Sequence, residues 1–79
     1  MKDEWLKITI SSYSNELLKE LYIELKKVGN MKKPYYANKS IKLKELFNMS
    51  NQKYWLDQYH EIKFELETEI LYRISIDLF

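Results

Sequence analysis

At 79 residues with no cysteine, the chain has room for one small domain, and neither a disulfide framework nor a thiolate metal site can compensate for a thin core. Its 46% hydrophobic content is too high for a disordered chain, yet no apolar run approaches the length of about 18 residues that a membrane-crossing helix needs. The net charge of +1 hides an asymmetry: seven lysines and no acid stand between Lys26 and Lys44, and five acids face only Lys63 and Arg73 from Glu61 onward.

The opening residues "MKDEWLK" carry acids and no long apolar core, which argues against a signal peptide or an Arg-rich transit peptide. The chain is expected either to work where it is made, which the initial Met favours, or to have lost a targeting segment already. It favours Lys, Asn, Ile and Tyr and has a single Gly, Pro and Arg, a bias toward AT-rich codons that suits an organelle, a phage or a low-GC bacterium.

Trp5–Ser11 alternates, with Leu6, Ile8 and Ile10 on one face and Trp5, Lys7 and Thr9 on the other, which predicts a half-buried strand. Ser14 follows at the place of a helix N-cap, with Glu16 in the first turn. Leu17, Leu21, Leu25 and Val28 then form one apolar helical stripe with Leu18 beside it. Gly29 comes where a left-handed helix C-cap is wanted.

Asn30–Ser40 is a polar, basic connection containing Pro34, and Ser40–Phe47 alternates weakly, which predicts a second strand. Asn48–Gln52 has turn chemistry. Further on, Ile62, Phe64, Leu66, Ile70, Tyr72, Ile74, Ile76 and Leu78 all hold even positions, which predicts strand through about Leu66 and a short element of either type after it. The order of elements gives an α+β expectation: a small ferredoxin-like antiparallel sheet, one main helix on one face, and a second helix reduced or absent. Residues 1–79 form a single domain in this reading, with a basic hairpin extension at about 30–56.

Catalytic chemistry is hard to find. His60 is the lone histidine and there is no cysteine to pair with it; one glycine cannot build a phosphate-cradling loop. The acids of "ELETE" (Glu65–Glu69) read as a solvated face. The chain is expected to be no enzyme, with no catalytic residues, no metal site and no cofactor. The basic middle is more informative. Lys32, Lys33, Lys39, Lys42 and Lys44 surround Tyr35 and Tyr36, and Lys53 lies just beyond. Lysines neutralise phosphates and tyrosines stack on bases, so these eight residues are the candidate nucleic-acid contacts.

The stretch "KITISSYSNELLKELYIELKKVGN" resembles the start of the small-subunit ribosomal proteins of the protein ten family. Ser12-Tyr13 stands for that family's small–aromatic pair, Ser14 for its Asp cap, and Leu17-Leu18 for its paired leucines. Asp57-Gln58-Tyr59 is similar to the Glu-Gln-Phe of its third strand. Where the family's loop tip carries Arg-Ser-Pro-His, this chain has "FNMSN". The resemblance implies a structural constituent of the small-subunit head, a ribonucleoprotein component in translation. Ribosomal RNA and other small-subunit ribosomal proteins would be its partners, and neither a membrane nor a small-molecule substrate. It implies a divergent copy encoded in a mitochondrial genome and working in the matrix, with the cytoplasm of a low-GC bacterium as the alternative setting. The rival expectation is a small phage or mobile-element protein that blocks a host protein through an acidic strand face formed by Glu61, Glu65, Glu67 and Glu69.

Overall fold

The structure, a computed structural model, describes residues 2–31 and 41–79. Four helices account for most of them: α1 (Lys2–Ser11), α2 (Asn15–Met31), α3 (Ile41–Met49) and α4 (Trp55–Ser75). No strand occurs among the described residues. The α+β ferredoxin-like expectation is therefore overturned. All three stretches read as strand are helical: Trp5–Ser11 lies in α1, Ile41–Phe47 in α3, and the even-numbered row up to Ile74 in α4. The described part of the expected hairpin extension likewise contains α3.

The physical reason is the same in each case. A row of alternate residues contains every i,i+4 pair, so it serves a helix as well as a strand. Among the described side chains of α1, those of Leu6 and Ile10 are buried, while Ile8 between them is 61% exposed. In α4 the buried pair is Ile62 and Leu66, with Phe64 between them exposed. In α3 Leu43, Leu46 and Phe47 face inward at helical spacing and Ile41 faces out. With α2 contributing Leu18, Leu21, Leu25 and Val28, these residues make one continuous core. Burying each such side chain is worth roughly 1.5–3 kcal/mol, which outweighs the few tenths that separate Ile or Val from the good helix formers.

The longest helix, α4, has 21 residues and packs against each of the other three. Trp55, Tyr59, Ile62, Leu66 and Ile70 form its inner stripe, at steps of four, three, four and four.

The corner between α1 and α2 is built by serines. Ser11 and Ser12 hydroxyls donate to the carbonyls of Ile8 (2.7 Å) and Thr9 (2.6 Å), closing the end of α1. Two residues on, Ser14 caps α2: its Oγ accepts from the Leu17 N–H at 3.2 Å. At the far end of α4 the chain turns back through a Schellman arrangement. Leu78 N–H donates to the Arg73 carbonyl (2.8 Å), Asp77 N–H donates to that of Ile74 (3.2 Å), and Asp77 takes the left-handed φ of 58°. That turn carries Phe79 back toward α2.

Candidate interaction groove between α2 and α4

Of the eight sequence-derived candidates, Lys42, Lys44 and Lys53 fall among the described residues. Lys32, Lys33, Tyr35, Tyr36 and Lys39 lie outside the described residues. Lys42 and Lys44 are exposed on α3, but two residues apart on a helix means about 200° around its axis, so they leave opposite flanks. Lys42 pairs weakly with Glu45 at 3.9 Å. Lys53 is exposed in the turn before α4.

The four glutamates read as an acidic strand face are redistributed by the helix, three on one side and one on another. Glu61, Glu65 and Glu69 follow one another at i,i+4, and Glu67 stands on the other side. Three of them have internal partners. Glu61 accepts from the Ser50 hydroxyl at 2.5 Å, Glu67 accepts from the Tyr22 hydroxyl at 2.5 Å, and Glu69 binds Arg73 Nε at 2.8 Å. Burial pushes the Glu65 carboxyl above its usual value; Lys7 opposes that rise and the charge of Glu61 adds to it. His60 packs edge-on against the Tyr59 ring, 5.3 Å between centroids. No group of three or more His, Asp or Glu side chains converges among the described residues.

What the fold does assemble is an apolar groove of about 550 Å³ between α2 and α4. One wall comes from α2, which places Lys19, Tyr22 and Ile23 there. These residues lie off the buried stripe, so the groove sits beside the core and not inside it. The other wall comes from α4, through Glu67, Ile70 and Leu71. The backward turn after α4 closes one end with Phe79. Ile23 is 56% exposed and Leu71 64%, and they share one concavity. Phe64, also exposed, stands seven residues before Leu71 and so on the same face of α4.

Polar chemistry in the groove is sparse and largely committed. The hydrogen bond to Glu67, then burial and the nearby charge, push the Tyr22 phenol up to about 12. Lys26 Nζ lies 5.1 Å above the Tyr22 ring, and Lys19 Nζ lies 5.1 Å from the centre of the Phe79 ring.

Sequence reasoning missed this site because it rests on residues left over after the core stripe is drawn. Ile23 is out of step with Leu21, Leu25 and Val28, and Phe64 and Leu71 belong together only once α4 is known to be a helix. No helix among the described residues is long and apolar enough to cross a membrane, so the exposed apolar groups are not a membrane span. Comparison of the chain with protein-family models, with curated proteins and with solved structures gives no match.

Proposed function

We propose that this chain is a small helical binding module that acts by association and docks a protein partner in the groove between α2 and α4. The observation that carries the reading is the shared exposure of Ile23 and Leu71 in one concavity, in a chain that buries Leu18, Leu25 and Leu66 completely. Scattered exposed apolar residues are ordinary; two aliphatic groups and an aromatic lining one trough are the geometry of helix-in-groove recognition. Covering the part of Ile23 and Leu71 that is still exposed would contribute roughly 1–2 kcal/mol each.

Ribosomal RNA binding through the lysines is the competing reading. The ribosomal resemblance rests on a strand corner and a third-strand motif, and the corresponding stretches, Lys7–Ser11 and Asp57–Tyr59, are helical here. Lys42 and Lys44 leave α3 on opposite flanks. Affinity capture from cells expressing the tagged full chain separates the two. The partner is expected to stay with wild type and with a Lys42→Glu, Lys44→Glu, Lys53→Glu variant, and to be lost from Ile23→Asp, Leu71→Asp, with helical circular dichroism unchanged in both variants. Retention by the groove variant, or an RNA partner lost only from the lysine variant, contradicts the proposal.

A further inference from the structure

The charged groups around the groove are unequally committed. On the α4 side Glu69 is paired with Arg73 at 2.8 Å, while Glu67, which lines the groove, accepts the neutral Tyr22 hydroxyl and keeps its charge. On the α2 side Lys19 and Lys26 stand four residues before and three residues after Ile23, one turn to either side on the same helix face. Neither makes an ion pair among the described residues; Glu24 pairs with Lys27 instead, at 3.7 Å. Under each ammonium lies an aromatic ring, Phe79 for Lys19 and Tyr22 for Lys26. A ring attracts a cation without cancelling its charge, so both lysines keep their charge for an outside partner.

An apolar trough with Lys19 on its α2 wall, Lys26 over the Tyr22 ring of that wall and the Glu67 carboxylate on the α4 wall has a definite complement. We infer, building on the groove reading above, that the partner is an acidic amphipathic helix. Its apolar stripe covers Ile23, Ile70 and Leu71, and its carboxylates run along the single flank that faces α2. A basic helix would set like charges against Lys19 and Lys26, and a neutral one would forgo the steering that complementary charge provides.

The test is a selection on the full chain with a yeast-displayed library of helical peptides of about 18 residues, or five turns. Each peptide carries leucines on one stripe, and its flank positions are randomised among Glu, Lys and Gln. Binders that fail against Ile23→Asp, Leu71→Asp are expected to carry Glu on one flank only. The Lys19→Glu, Lys26→Glu variant is expected to weaken them by about tenfold at low salt, and added salt to narrow the difference. Groove-dependent binders with Lys flanks, or with no charge bias, overturn the acidic partner while leaving the groove standing. An absence of groove-dependent binders overturns both. A concentration-dependent dimer of the chain that is lost in the groove variant overturns the inference in favour of a second copy as occupant.

Discussion

Two residues show how a position's role depends on what packs against it. Gly29 looks in the sequence like a left-handed helix end, yet α2 runs on to Met31 and no described glycine has positive φ. The glycine is needed for space: a Cβ there would lie 2.6 Å from Tyr59 Cζ and 2.8 Å from its Cε1, and the hydroxyl oxygen is nearer still. The Tyr59 ring is confined by edge contacts to Trp55 and His60. Gly29→Ala is therefore expected to cost roughly 1–2 kcal/mol despite alanine's better helix propensity. In a Tyr59→Ala background the same change should stabilise by about 1 kcal/mol, and urea denaturation of the four chains gives the coupling. Tyr22 is the second case. Its phenol is neutral when protonated, so a value pushed up to about 12 from 10.0 means the native state holds that proton more tightly than the unfolded chain. The resulting stabilisation is complete below pH 10 and is lost as the pH climbs toward 12. The urea midpoint of Tyr22→Phe should consequently fall less than that of wild type across this window.

Among the elements, α2 was legible in the sequence except at its C-terminal end, because a hydroxyl cap and a stripe at steps of four, four and three have no strand equivalent. The three other helices were not, because alternation of apolar and polar residues is ambiguous whenever only every second member of the row is buried. The member between decides, and its exposure is a tertiary fact that no local pattern contains. Ile8 in α1 and Phe64 in α4 are those members. The distinction can be measured: Leu66→Ala is expected to destabilise by roughly 2–5 kcal/mol, whereas Phe64→Ala, at a site 65% exposed, should change stability by less than about 1 kcal/mol. Similar large losses at both positions would restore the strand register.

At the scale of the molecule, Arg73 is the tie that holds the end of α4 to the α1–α2 corner. Its guanidinium binds Glu69 Oε2 at 2.8 Å, Asn15 Oδ1 at 2.8 Å and the Ser11 carbonyl at 3.0 Å, with only 11% of the side chain exposed. Asn15 also donates to the Leu78 carbonyl at 2.5 Å, so the α1–α2 corner anchors the turn that brings Phe79 to the groove. Arg73→Ala is expected to cost about 3 kcal/mol in thermal or urea unfolding, since it strands Glu69 and leaves the Asn15 and Ser11 oxygens without this donor. None of this network was visible in the sequence, where the lone arginine was noted only as a charge. The groove was hidden for the same reason, as a product of two helices meeting. Its role as the working surface is the central claim. The most direct measurement is methyl and amide chemical-shift mapping of the full chain with its captured partner. Perturbations concentrated at Tyr22, Ile23, Ile70 and Leu71 are the predicted result; perturbations confined to Lys42, Lys44 and Lys53 would contradict it.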